Sequence, residues 1–338
     1  MNHPFKNLIF EGGGVKGIAY AGALKVLDQK KILGSIHRVA GTSAGAITAA
    51  LLSVGATWKD IEEIVGSTEF NEFMDDSWGF IRDTQRLLVD YGWYKGDAFS
   101  KWMKKQILSL TGKRNLTFAD IEALKSKEPG RFRSLYIVGT NLSLQVPEVF
   151  SAEKTPDLEI WYAVRISMSI PLFFAAVKED DGDIFVDGGI SWNYPLDLFD
   201  AKRYLSAKSN KKLFITPKYP TTRGADHVYN KESLGFRLDT ADEIEAARRG
   251  WQLPPRNVDD IADYIKALLG FMMDMANKTH LHENDWHRTV FIDTLGIRTT
   301  DFNLSREKID GLVQSGKEGM KNYLKWYEKP ESTPINRV

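Results

Sequence analysis

The chain has 338 residues, 43% of them apolar and 27% charged, and its 45 Lys and Arg balance its 45 Asp and Glu. That balance gives neither a basic nucleic-acid surface nor an acidic, unfolded character, so no nucleic-acid partner is expected. The absence of cysteine excludes disulfides, thiolate catalysis and cysteine metal sites. The polar start, Met1 to Asn7, leads directly into a strand pattern, and no run is long and apolar enough to cross a bilayer. A protein that is cytoplasmic, or exported without a cleaved signal peptide, is expected.

Leu8-Ile9-Phe10 reads as a short apolar strand running into Gly12-Gly13-Gly14-Val15-Lys16-Gly17, and a helix of small residues follows from Ile18 to about Gln29. A second strand, Ile36 to Ala40, stops at Gly41-Thr42-Ser43-Ala44-Gly45, and a helical run starts at Ala44. Two successive strand-to-helix units predict a parallel sheet with right-handed crossovers. Their loops then lie together at its carboxyl edge, where open α/β sheets bind ligands.

Further along, Thr57 with Asp60 and Thr117 with Asp120 have the spacing of capping boxes, and Asp97 that of an N-cap. Thr57 to Tyr94 is rich in aromatic residues. Ser134 to Leu144 and Val146 to Phe150 are extended, and Thr155-Pro156 is expected to open a helix that Pro171 ends. Strands follow at Phe173 to Val177, Ile184 to Val186, Leu213 to Thr216 and Arg288 to Asp293. Pro217 to Asp239 is polar and reads as irregular. Thr240 to Arg249 is a charged helix, Asn257 caps another that runs through Met275, and Leu304 to Trp326 is a long amphipathic helix. With no repeat and no interdomain linker, residues 1–328 read as one domain with an insertion or lid near 217–280. Residues 329–338 are expected to be a disordered tail. The fold class is three-layer α/β, a central, mostly parallel sheet covered by helices.

Ser43 stands on the corner between strand and helix, with Gly41 and Gly45 keeping Cβ atoms out of a tight bend, which is the pattern of a nucleophile elbow. The helix that follows aims its N-terminal dipole at the hydroxyl and favours the alkoxide. Gly12, Gly14 and Gly17 satisfy a dinucleotide-loop spacing, but the second strand ends in Gly41-Thr42-Ser43 instead of the acidic residue that would hold a ribose. Lys16 is not preceded by glycine or followed by serine or threonine, so a nucleotide-hydrolase phosphate loop fails as well. The reading left is that Gly12, Gly13 and Gly14 offer backbone N–H groups beside Ser43 as an oxyanion hole. Asp187, at a strand end before Gly188 and Gly189, can serve as base to the serine. Lys16 would either neutralise a lipid phosphate or brace its loop by bonding backbone carbonyls, the second being favoured. A rival places His287 in a Ser43-Asp187-His287 triad, and a third reading is a non-catalytic binding module. His280 and His282 have a spacing that suits no helical metal site.

Together these residues resemble the patatin-like phospholipase family. Gly12 to Gly17 is similar to its anion loop, Gly41 to Gly45 to its elbow, Asp187-Gly188-Gly189 to its base motif, and Ser167 to Phe174 to the segment before that aspartate. The motifs fall in the family's order over Leu8 to Thr216, and FIDTLGIRTTDFNL adds a weaker likeness to bacterial members, including secreted effector phospholipases. The resemblance implies a Ser-Asp dyad without histidine, lipid acyl hydrolysis of phospholipase A or lysophospholipase type, no cofactor and no catalytic metal. Partners would be a phospholipid or lysophospholipid substrate and a membrane surface contacted peripherally, with any activator left open. Val258 to Met275, crowded with apolar residues, reads first as a core helix and second as a lid or membrane-docking element.

Overall fold

Alternation along the strands sets the number of layers. In β1 (Asn7–Phe10), Leu8 and Phe10 belong to one apolar cluster and Ile9 to another. Val39 and Ala40 of β2 (Arg38–Thr42) divide in the same way, as do Leu135 and Ile137 against Tyr136 and Val138 of β4 (Ser134–Asn141). Strands buried on both faces must be covered twice. The computed structural model describes residues 3–68, 70–73, 89–206, 226–249, 258–259, 261–280, 283–299 and 301–337. The expected strand Leu213–Thr216 and the Asn257 cap lie outside them.

The remaining strands are β3 (Gly92–Tyr94), β5 (Val146–Ser151), β6 (Leu172–Phe174), β7 (Val177–Lys178), β8 (Ile184–Asp187), β9 (Ser233–Asp239) and β10 (Thr289–Asp293). The main sheet has the order β10-β9-β1-β2-β4-β8-β7, with β5 also on β4, and β3 pairs β6 apart from it. The run from β10 to β4 is parallel, while β5, β7 and β8 pair antiparallel. The three-layer, mostly parallel α/β fold is therefore present. On one face the helix Ala19–Gln29 meets the C-terminal helix Arg306–Glu328. A Cβ at Gly22 would lie 1.8 Å from Val313 O and one at Gly316 1.8 Å from Ala19 O, so paired glycines let the two backbones touch. Tyr194, Leu196, Phe199 and Tyr204 cover the other face.

Both capping boxes form, at Thr57–Asp60 and Thr117–Asp120. Elsewhere the structure corrects the sequence reading. Gly96, left-handed at φ 76°, caps the helix Asp97–Thr111, and Asp97 is its first residue, where its charge still meets the helix N-terminus. The helix expected from Thr155-Pro156 begins only at Ile160. Within the stretch read as irregular, Ser233–Asp239 is the interior strand β9 between β1 and β10. The tail is not disordered over its described residues. Asn336 Nδ2 donates to Tyr323 Oη at 3.0 Å, the Tyr327 hydroxyl donates to Asn336 O at 3.1 Å, and the Ile335 N–H donates to His287 Nδ1 at 3.2 Å.

One edge of β4 decides where the site lies. β5 takes one edge over Tyr136–Asn141, leaving the other to be shared by β2 over Ser134–Val138 and β8 over Gly139–Asn141. The two run in opposite directions. β2 ends at Thr42 beside Val138, and β8 ends at Asp187 beside Gly139, so the strands meet head to head.

Candidate active site

Ser43 follows β2 at this meeting point, with φ 53° and ψ −123°, a conformation that a residue with a side chain rarely adopts. The helix Ala44–Ser53 starts at the next residue. Close approach makes the flanking glycines necessary: a Cβ at Gly41 would sit 2.2 Å from Gly45 O, and one at Gly45 2.2 Å from Phe10 O. The strained residue is held by its own N–H, which donates to Ser167 Oγ at 2.9 Å, while that hydroxyl donates to Val138 O at 2.6 Å. Ser167 is fully buried. It opens the segment whose likeness to the family was noted before Asp187, but its bond to Ser43 was not foreseen.

Asp187 is completely buried and is held from three sides. Its N–H donates to Ser169 O at 2.9 Å, its carbonyl accepts from Thr140 Oγ1 at 2.9 Å, and Oδ1 accepts the Gly189 N–H at 2.7 Å. Burial pushes its carboxyl up to about 7, against the smaller opposing pull of the Gly189 N–H and the Ser43 hydroxyl. Ser43 is thus near enough to favour the carboxylate, yet Oδ2 has no hydrogen-bond partner of full geometry. Catalytic hydrogen bonds often reach ideal geometry only once substrate is bound. The carboxyl is thus desolvated, as the expected role of base requires.

The glycine loop lies alongside. A Cβ on Gly12 would come 3.1 Å from Ser43 Cβ, but the Gly12 N–H is already donated to Asn193 O at 3.1 Å. Of the three N–H groups expected to form an oxyanion hole, that of Gly12 is therefore taken, whereas those of Gly13 and Gly14 have no acceptor among the described residues. Gly14 needs its missing side chain, with φ +55° and Thr299 O 2.1 Å from a Cβ position. A Cβ on Gly17 would sit 2.9 Å from Ala44 Cβ, and one on Gly188 2.2 Å from Val138 O, so both permit close packing. Lys16 folds over the loop, its Cε 3.3 Å from a Gly13 Cβ position. Among the described residues its ammonium bonds no backbone carbonyl, so the favoured bracing role is not met.

One group beside the loop was missed in the sequence. Glu11, just before the glycines, is fully buried, and its Oε2 accepts the Leu238 N–H at 2.7 Å. Desolvation raises its carboxyl to about 7, against the attraction of Arg237. Met273 reaches in from the helix Ile261–His280, its Cε 2.6 Å from a Gly189 Cβ position.

His287 does not join this group. It precedes β10, at the amino edge of the parallel strands, whereas Ser43 follows the carboxyl end of β2. The two edges are about 15 Å apart for strands of this length. There Nδ1 accepts the Ile335 N–H, and the ring packs edge-on against Trp326. The Ser43-Asp187-His287 triad is excluded by this placement. His282 lies outside the described residues.

A family model described as patatin-like phospholipase matches residues 8–200. The uncharacterized protein YqhO of Bacillus subtilis (strain 168) is 30% identical over 327 residues, 94% of this chain and 97% of its own. The probable lipid hydrolase 463L of Invertebrate iridescent virus 6 is 26% identical over 235 residues, 68% of this chain and 76% of its own. The crystal structure of VipD from Legionella pneumophila superposes with a TM-score of 0.59 at 19% identity, over 95% of this chain and 67% of that one. The chain belongs to the patatin-like phospholipase family, and lipid ester hydrolysis is the activity that membership carries. Among the described residues no helix is long and apolar enough to cross a membrane.

Proposed function

We propose that the chain is a serine acyl hydrolase that cleaves fatty-acyl esters of phospholipids or lysophospholipids through Ser43 and Asp187. The observation that carries this reading is the head-to-head meeting of β2 and β8, which puts a strained serine against a fully buried carboxyl. Asp187 Oδ2 takes the Ser43 proton as Oγ attacks the ester carbonyl carbon. The carbonyl oxygen becomes an oxyanion, received by the Gly13 and Gly14 N–H groups. Collapse breaks the ester bond, and the departing alcohol takes the proton from Asp187. Water, deprotonated by Asp187, then attacks the acyl-enzyme, the bond from the acyl carbon to Ser43 Oγ breaks as Oγ takes that proton back from Asp187, and the fatty acid leaves. The Lys16 ammonium, half-buried over the loop, suits an anionic part of the substrate. The test is mass spectrometry of products from mixed phospholipids. Fatty acid and the matching lysophospholipid should appear with wild type and not with Ser43→Ala; equal product from both would refute the reading.

A base with a pKa of about 7 predicts the pH profile. For a short soluble ester, kcat/KM should rise with pH to a plateau, with its midpoint near 7, because only the carboxylate accepts the proton. The same midpoint in Glu11→Gln, whatever its rate, assigns the titration to Asp187 and not to its buried neighbour. A profile flat from about pH 5 to about 9 would contradict this role.

The helix Ile261–His280 is not the core helix first expected. Tyr264, Leu268, Phe271, Met272 and Met275, spaced as one helical stripe, are exposed, Phe271 to 61%, whereas Ala276 is buried and Met273 touches the Gly189 turn. The helix rests chiefly on the short helix Gly189–Trp192, which is too small to cover its outer side. An apolar stripe above the site fits contact with the membrane surface that supplies the lipid. Phe271→Ser should lower vesicle hydrolysis about tenfold, the partitioning of one large apolar side chain, and leave melting temperature and soluble-ester turnover unchanged. A large drop in melting temperature would return the helix to the core.

A further inference from the structure

Asn193 follows the helix Gly189–Trp192 and is buried between the two glycine turns of the site. Its carbonyl accepts the Gly12 N–H at 3.1 Å, while Nδ2 donates to Glu11 Oε1 at 3.3 Å and to Gly12 O at 3.4 Å. Its Oδ1 is buried without a hydrogen-bond partner, 2.3 Å from a Gly12 Cβ position and 2.8 Å from a Gly189 Cβ position. One short side chain therefore touches the loop that carries Gly13 and Gly14 and also the turn whose N–H holds Asp187 Oδ1.

We propose that Asn193 is a positioning residue: its side chain wedges the glycine loop against the Asp187 turn and fixes the distance from the two loop N–H donors to the Ser43–Asp187 pair. The proposal rests on the serine hydrolase reading above. Each turn meets the amide at a glycine, Gly12 on one side and Gly189 on the other, so neither has a side chain there to set the gap. The far side of the loop is anchored. Glu11 is held by the Leu238 N–H, and its carbonyl accepts the Tyr20 hydroxyl at 2.6 Å, so Nδ2 pulls the loop onto a fixed floor. An oxyanion donor displaced by about an ångström loses much of its effect, whereas substrate binding away from the carbonyl does not feel the shift.

The test uses the full chain as wild type, Asn193→Ala, Asn193→Asp and the double variant Asn193→Asp/Glu11→Gln. Active sites are titrated with a fluorophosphonate, and kcat and KM for a short soluble ester are expressed per titrated site. Asn193→Ala should lower kcat about 10- to 100-fold with KM within about twofold. A residue needed only for folding would reduce the number of titrated sites and leave kcat per site alone. Asn193→Asp keeps the size but sets a carboxylate against Glu11, and should fall further. In the double variant the amide introduced at position 11 donates back to the new carboxylate, while its oxygen still accepts the Leu238 N–H, so about tenfold of the loss should return. Should Asn193→Ala not fold, the isosteric Asn193→Asp and its double variant decide. Wild-type kcat per site in Asn193→Ala, or no recovery in the double variant, overturns the proposal. A wild-type enzyme that neither labels at Ser43 nor turns over ester would instead strike the hydrolase reading itself.

Discussion

Ser43→Ala and Asp187→Asn should each remove acyl-hydrolase activity by about 10⁴-fold or more, the scale seen when one member of a nucleophile–base unit is deleted. Each changes few atoms, and neither residue carries packing that the variant loses. The aspartate variant also has a signature in stability. The folded state holds the Asp187 proton up to about 7, above the ordinary carboxylate value of 3.8. The stability this contributes is complete below the ordinary value and is lost as pH rises through about 7, when an unpaired charge must be buried. Asp187→Asn cannot ionise, so it should melt higher than wild type above neutral pH while being inactive. Substantial turnover by either variant with normal circular dichroism would end the dyad assignment. An aspartate variant that melts lower at alkaline pH would show that Asp187 stabilises the fold as a charge.

Gly13→Ala should cost about 100-fold or more in turnover, as losing or misplacing one oxyanion donor does, with a smaller effect on KM. Gly13 has φ −176° and ψ 16°, outside the left-handed region that favours glycine. The added Cβ would meet Leu238 Cδ1 at 2.7 Å and Lys16 Cε at 3.3 Å, both ends of side chains that can move. The fold should therefore survive, and what shifts is the N–H beside Ser43. A raised KM with unchanged turnover would make the loop a binding element.

The parts of the site legible in the sequence are those that a tight backbone writes locally. Gly41, Ser43 and Gly45 form one bend, and Gly12 to Gly17 one strand-to-helix turn, so composition and spacing expose both. Asp187 was legible as a strand end, but its antiparallel approach was not. That geometry comes from β4 sharing one edge between β2 and β8, a pairing between residues far apart in the chain. Asn193 was silent for the same reason, and Ser167 was legible only as the start of a family-like segment, since each acts on a part of the chain distant in sequence. β9 was missed although Leu234, Phe236 and Leu238 alternate as a strand should, because the polar stretch before it masked a short apolar run. The long apolar helix misled in the opposite sense: composition predicted a core, and only the small area beneath it leaves the stripe exposed.

The proposed reaction carries a fatty acyl group on Ser43 Oγ, and that intermediate can be caught. A lysophospholipid mixed with the enzyme, quenched in acid within the first turnovers and digested should yield the peptide containing Ser43 heavier by one acyl group. The adduct should be present in wild type on the plateau of the pH profile, where the Asp187 carboxylate is available as base, and be absent from Ser43→Ala. An acyl group found on another residue, or steady fatty-acid release by Ser43→Ala at the wild-type rate, would contradict the account.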